Sequence, residues 1–295
     1  MGQALALGSP VARAVFEEVD EALGQNLSKL MWSADEATLT LTENAQPAIM
    51  AVSIAVLRVL EADGVRVADK AVFIAGHSLG EYSALCAAGA LTLADTARLL
   101  RRRGQAMQTA VPVGTGAMAA ILGLDFDGCR AAAAAAAEDQ VCAVANDNAP
   151  GQVVISGHTE AVTRAIELAK LRGAKRGMLL NVSAPFHCAL MQPAADAMAE
   201  ALASAALDAP YVALVANVTA APVADAATIR RLLIEQVTGM VRWRESVLAM
   251  VEAGVSDFVE LGGKILGPMI KRITPDAVTV SAVDMAGVEA VAKSL

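Results

Sequence analysis

A chain of 295 residues that is 56% hydrophobic is long enough for a large core, and for one big domain or two unequal ones. Its formal charge of −8 argues against a nucleic-acid partner and requires any anionic ligand to be met by a few local cations. No uninterrupted apolar run reaches the ~18–20 residues of a membrane span, no secretory pattern is visible, and Cys86, Cys129, Cys142 and Cys188 lack metal-ligand spacing, so the expectation is a cytoplasmic chain with free thiols, no metal and no membrane partner.

In chain order, Pro10 leads into a helical pattern on Val11, Val15, Phe16, Val19 and Leu23, closed by Gly24, with no strand ahead of it. Residues 27–42 read as short helix and loop. Gln46-Pro47 starts a long apolar helix that Asp63-Gly64 ends. An apolar strand then reaches Gly76-His77-Ser78-Leu79-Gly80, and an Ala/Leu-rich helix runs on from Glu81. Residues 92–108 form a helix that Thr92 or Asp95 can cap, with Arg98, Arg101, Arg102 and Arg103 crowding its last turns. The composition breaks at 111–116, where a domain boundary is expected.

Past that break the chain reads as strand 117–124, helix 126–139, strand 141–145, turn 146–151, strand 153–156, helix 159–172 and strand 178–182. That β-α-β-β-α-β order is a small ferredoxin-like unit. The alanine run Ala131 to Ala137 within it reads as a helix surface of high propensity. Beyond it come helix 191–206, strand 211–215, helices 228–237 and 243–253, strand 257–260, helix 265–273 and strand 278–283. The expected fold class is α/β: a parallel-sheet, α/β-hydrolase-like core of residues 1–113 and 184–295, with a ferredoxin-like subdomain, 114–183, inserted into it.

The stretch around Ser78 carries the chemistry. A strand, a tight turn and a helix with a serine at the apex form an elbow that lifts the hydroxyl clear of the sheet and aims free N–H groups of the helix start at whatever bonds to it. The flanking glycines let the two backbones pass closely. A serine nucleophile needs a base within hydrogen-bond reach, and the chain has three histidines. His77 adjoins the serine and points elsewhere on such a turn. His158 begins a helix of the small unit, where a capping or surface role fits. His187 lies where the small unit rejoins the main domain, and elimination favours it. No Asp or Glu presents itself as a third member: Asp196 is a helix residue and Asp225 lies in a loop. Either a backbone carbonyl orients the base or the sequence hides the acid. Arg101, Arg102 and Arg103 stand about 100° apart on a helix, so one of them can turn inward, where it would need an anion such as a substrate carboxylate.

The segment from Gly76 to Leu85 resembles the active-site segment of malonyl-CoA:acyl carrier protein transacylases. So do Arg103 to Gln108, Gly114 to Ala120, Asn148 to Gly157 and Val182 to Cys188, in order and over most of the chain. The resemblance implies a Ser78–His187 dyad that takes malonyl from malonyl-CoA and passes it to the phosphopantetheine thiol of acyl carrier protein, for fatty acid synthesis, with no cofactor and as a monomer. It implies that Arg103 pairs with the malonyl carboxylate. The main-chain carbonyl of Gln236 would orient the histidine, the Leu79 N–H would be one oxyanion donor, and His77 would line the substrate site. Leu79 and Phe186 resemble the malonyl-selective pattern.

Family members also begin with a strand and an F-P-G-Q-G-S-Q segment whose glutamine lies at the oxyanion site. Met1-Gly2 aligns just after it, so the resemblance implies a version without that strand and glutamine, and one less soluble for its exposed sheet edge. Gly262-Gly263-Lys264 is one residue shorter than the family's G-P-G-K turn and is no nucleotide-binding loop. Lys170, Arg172, Lys175 and Arg176, and separately Lys264, Lys271 and Arg272, are candidates for docking an acidic carrier protein. A thioesterase or esterase using the same serine, and a catalytically impaired acyl-binding protein, are the alternatives.

Overall fold

The computed structural model describes residues 1–33 and 36–295; residues 34 and 35, inside the segment read as short helix and loop, lie outside the described residues. The chain begins with helices α1 (Gln3–Gly8), α2 (Pro10–Leu23), α3 (Leu27–Trp32), α4 (Glu36–Leu39) and α5 (Thr42–Ala62). The turn α6 (Val67–Lys70) leads to strand β1 (Phe73–Ile74), and then to helices α7 (Gly80–Ala87) and α8 (Leu93–Thr109). Ser9 caps α2 by accepting from the Ala12 N–H, Pro10 sits at its first position, and Gly24 ends it in the left-handed conformation at φ 57°. Thr92 caps α8 through the Asp95 N–H.

Two readings shift here. The helix expected from Gln46-Pro47 starts at Thr42 and carries Pro47 inside it, where the proline's missing N–H takes one bond out of the ladder. At 21 residues and a mean hydropathy of 1.5 over its most apolar window, α5 is long and apolar enough to cross a membrane; 67% of that window is buried inside the fold, against α2, α7 and α8. The arginines expected in the last turns of α8 sit in its middle, since the helix runs to Thr109 and has no basic residue in its last turn. Gly104 is what lets α8 cross α5 so closely: a Cβ there would stand 2.4 Å from the Glu43 Cα. That crossing brings Arg103 next to Gln46.

Residues 116–179 build a four-stranded antiparallel sheet from β2 (Gly116–Leu122), β3 (Cys142–Ala149), β4 (Gln152–His158) and β5 (Arg176–Leu179), in the order β3-β4-β2-β5. Helices α9 (Phe126–Ala137) and α10 (Thr159–Leu171) pack on one face around Ala119, Ile121, Val153, Ile155, Val162 and Ile166. Part of the alanine run is core rather than surface: Ala132, Ala133 and Ala136 are each 1% exposed. Their small side chains let α9 lie close to the sheet.

The turn read at 146–151 shortens to Pro150–Gly151, because β3 continues to Ala149. It does so with two register shifts, between Val144 and Asn146 and between Asp147 and Ala149. Bulges of this kind free residues from the ladder and re-aim their side chains. The irregular end of β3 bonds to the segment before α13 instead: Val241 donates to the Ala145 carbonyl at 2.9 Å, and Asp147 donates to Val241 at 3.0 Å.

The chain returns through α11 (Gln192–Ser204), β6 (Ala213–Val215), β7 (Pro222–Val223), α12 (Ala226–Thr238), α13 (Trp243–Glu252), β8 (Asp257–Leu261), α14 (Leu266–Ile273), β9 (Val278–Ala282) and α15 (Met285–Ser294). β7 and α15 have no counterpart in the sequence reading. The fold is α/β. Its parallel strands come in two separate ladders, β1 beside β6 and β8 beside β9, with β7 antiparallel on β6. β1 and β6 pair through two residues each, so the C-terminal end of β1 opens almost at once into the turn bearing Ser78.

Candidate active site

The elbow is built by close approach and strain. Ser78 has φ 52°, in the left-handed region that a non-glycine residue adopts at a cost of ~1–3 kcal/mol. Gly76 is required sterically, since a Cβ there would lie 2.0 Å from the Gly80 carbonyl oxygen. Gly80 is not: a Cβ there meets nothing within 4 Å, so only one of the two flanking glycines serves the close approach. Asn217, just beyond β6, clamps the turn. Its Oδ1 accepts from the Ser78 N–H at 2.7 Å and its Nδ2 donates to the Gly76 carbonyl at 2.8 Å.

His187 reaches Ser78 across the junction, also from a left-handed backbone at φ 59°. Its Nε2 lies 2.8 Å from Ser78 Oγ, and its Nδ1 lies 2.9 Å from the Gln236 carbonyl and 3.1 Å from the Gly239 carbonyl. Two carbonyls can only accept, so Nδ1 carries the proton and Nε2 is left to take the serine's. The orienting group is backbone, and neither Asp196 nor Asp225 takes part. Asp196 accepts from Gln192 on the outer face of α11, and Asp225 caps α12. Burial, and then the positive charge of Arg103, push the imidazole down to about 3, so His187 is neutral in the free protein.

Arg103 is the arginine that turns inward, at 2% exposure, while Arg101 is half-buried and Arg102 exposed. It donates to Gln46 Oε1 at 2.7 Å, to Gln236 Oε1 at 2.8 Å and to Ser78 Oγ at 3.0 Å. Among the described residues no carboxylate forms an ion pair with it, and the Tyr82 ring stands 5.8 Å from its Cζ. Gln236 Nε2 donates to the Ser78 carbonyl at 3.0 Å and to Glu81 Oε2. Burial raises Glu81 to about 7.

The remaining sequence candidates divide. The Leu79 N–H, at the start of α7, makes no hydrogen bond among the described residues. His77 faces away from Ser78: its Nε2 lies 2.8 Å from Asn148 Oδ1 at the bulged end of β3, its ring tilts against Trp243, and burial lowers its pKa. His158 accepts from the Val141 N–H through Nδ1 and provides no side-chain cap to α10.

Sequence reasoning missed Gln46, Glu81, Asn148, Asn217 and Gly239 as members of the cluster. Asn217 carried a usable signal, because polar residues just past the C-terminal end of a parallel strand line the crevice of an open α/β sheet.

The arrangement places a strained serine hydroxyl between a neutral imidazole acceptor and an unpaired guanidinium, which suits acyl transfer from a donor that bears an anion. Similarity to known proteins points the same way. Residues 1–266 match the acyl transferase domain family. The malonyl CoA-acyl carrier protein transacylase of Bacillus subtilis is 42% identical over 297 residues, covering 100% of this chain and 92% of that protein. The acyl-carrier-protein-S-malonyltransferase of Bartonella henselae is 51% identical with a TM-score of 0.97, covering 100% of this chain and 94% of that one. A malonyl-transacylase solved in complex with a type II PKS acyl-carrier protein is 39% identical with a TM-score of 0.96, covering 100% and 95%. A serine elbow, a backbone-oriented histidine and a buried arginine thus sit in a chain that belongs to the acyl transferase domain family, among its malonyl CoA-acyl carrier protein transacylases.

Proposed function

We propose that this chain transfers malonyl groups from malonyl-CoA to the phosphopantetheine thiol of acyl carrier protein, through a malonyl ester on Ser78. One observation carries the reading: Ser78 Oγ lies 2.8 Å from His187 Nε2 and 3.0 Å from Arg103, so nucleophile, base and anion-binding cation converge on one atom. In the first half, His187 Nε2 takes the Ser78 proton as Oγ attacks the thioester carbonyl. The C–S bond then breaks, and CoA leaves as a thiol with the proton from His187. In the second half the carrier's thiol gives its proton to His187 and its sulfur attacks the malonyl ester; the bond to Ser78 Oγ breaks, and His187 returns the proton to Oγ.

Arg103 exchanges its contact with Ser78 Oγ for the malonyl carboxylate, and Leu79 N–H meets the oxyanion, a kind of contact worth ~2.7–4 kcal/mol in acyl-transfer sites. Gln236 positions His187 through its carbonyl, and His77 fixes the wall of the site through Asn148. Bond making and breaking balance without a metal or cofactor.

The acyl carrier protein is read as the partner, and the chain as a cytoplasmic monomer. Of the candidate docking cations, Lys264 is exposed, while Lys170 pairs with Glu167 at 2.7 Å and Arg272 donates to Gln152. We place the functional division at 1–113 with 184–295 against 114–183; what supports it is that the antiparallel sheet has its own apolar core. The relatives compared are transacylases and favour neither the esterase nor the non-catalytic alternative.

Incubation with malonyl-CoA, then intact mass and peptide mapping, tests the reading. A malonyl adduct on Ser78, discharged by a phosphopantetheine-bearing carrier protein, is expected. No adduct at any time, or release of free malonate at the same rate without carrier, would overturn it.

A further inference from the structure

A guanidinium and a carboxyl group are buried beneath the elbow without touching. Arg103 is 2% exposed and Glu81 1%. Each is close enough to stabilise the charge of the other. Between them lies the side-chain amide of Gln236, with Oε1 on Arg103 at 2.8 Å and Nε2 on Glu81 Oε2. Its orientation is dictated from both sides, because a flipped amide would set NH2 against a cation and C=O against a carboxylate.

A buried guanidinium ordinarily forks onto a carboxylate, in short charge-assisted hydrogen bonds. Here that pairing is incomplete on both partners: Arg103 Nε and Glu81 Oε1 are buried with no hydrogen-bond partner among the described residues. An unmet donor and an unmet acceptor thus stand on either side of one amide. Direct contact between the two would satisfy both, and it would also neutralise the cation that meets Ser78.

We propose that the Gln236 side chain is a spacer: it keeps Arg103 out of an ion pair with Glu81, so that the guanidinium stays available to the carboxylate of the acyl donor. This role is separate from that of the residue's main-chain carbonyl on His187, and it rests on the transacylase reading above. It makes Gln236 a positioning residue for selectivity, acting through Arg103.

The test compares Gln236→Ala, Glu81→Gln and the double variant with the parent, reading the ratio of malonyl to acetyl loading on Ser78 from the two CoA thioesters. The carbonyl of residue 236 survives in all four proteins, so the base stays oriented. With Gln236→Ala the ratio should fall by about tenfold or more as Arg103 closes on Glu81, and adding Glu81→Gln should recover it by about threefold or more, since a neutral amide cannot hold the guanidinium as a carboxylate does. A purely structural role predicts the reverse, a double variant worse than either single one. A double variant with a ratio no higher than that of Gln236→Ala overturns the spacer, whereas a parent that never loads malonyl overturns the transacylase reading instead. Gln236→Met fills the space of the amide without its polarity and carries the same comparison if the alanine variant does not fold.

Discussion

The sheet of residues 116–179 and the elbow beneath it are built on opposite terms. In the first, alternating apolar residues and small alanines fill a dry core, and the strands keep regular antiparallel registers except at the far end of β3. In the second, Ser78 and His187 both sit at positive φ, and Glu81, Arg103, Gln236 and Asn217 are buried together as a polar network. Local preference and fold agree in one region and conflict in the other. The conflict is where the chemistry is, because pre-aimed polar groups in a low dielectric are what acyl transfer uses. The two regions meet at the bulged tip of β3, where Asn148 holds His77 and Asp147 pairs with Arg244 at 2.8 Å.

Substitutions that separate function from folding sharpen this contrast most. Ser78→Ala should abolish malonyl loading while the thermal midpoint holds, because the oxygen that accepts the acyl group is gone. Arg103→Ala should cut malonyl loading by about 10²-fold and raise the relative use of acetyl-CoA, since only the charged donor loses a charge-assisted partner. Competition between the two thioesters measures it, and unchanged selectivity would remove Arg103 from carboxylate binding.

Next in size is the clamp. Asn217→Ala leaves the Ser78 N–H and the Gly76 carbonyl without their partners, at a cost of ~2–4 kcal/mol in denaturant-unfolding free energy.

The contrast also sets a dependence on pH. His187 is held down to about 3 in the folded chain and titrates near 6.5 when unfolded. Between those values only the unfolded state takes up the proton, so His187 makes stability fall as pH drops from about 6.5 to about 3. Glu81, raised to about 7 from 4.5, acts the other way: between those values the folded state holds the proton, and stability falls as pH rises. Unfolding measured against pH should therefore lose the acid slope in His187→Asn and the opposing slope in Glu81→Gln.

The smallest effect falls on the elbow's second glycine. Gly80→Ala should leave stability within ~1 kcal/mol or raise it slightly, because the added methyl meets open space at a helix start. Gly76→Ala forces a contact of 2.0 Å on backbone and should cost about 3 kcal/mol. Gly157→Ala, whose Cβ would lie 2.0 Å from the Val141 carbonyl, should cost as much inside the regular sheet.

How far the sequence reveals this structure tracks the same divide. The helix cap at Thr92, the glycine stop at Gly24 and the order of elements from 116 to 179 are legible because local chemistry dictates them. The strand end at Asn146 to Asn148 reads as a turn because what holds it there is distant: Asp147 is met by Val241 and Arg244, nearly a hundred positions away. Ser78 is legible from the elbow pattern; helix geometry says only that one of Arg101, Arg102 and Arg103 can turn inward, and the family resemblance singles out Arg103. Gln46 and Glu81 are not, since each meets Arg103 or Gln236 only in the folded chain, and Asn217 is marked only by its place just past a parallel strand.

Helix α5 has a consequence of its own for how the protein is made. It emerges from synthesis after α2 but before α7 and α8, so its apolar surface is only partly covered until more than forty further residues have been added. For that interval the nascent chain displays a 21-residue stretch with the hydropathy of a membrane span. Chaperone capture and aggregation compete with folding there. Yield should therefore be governed by how fast α8 arrives to cover α5, a kinetic vulnerability that the stability of the finished fold does not reveal.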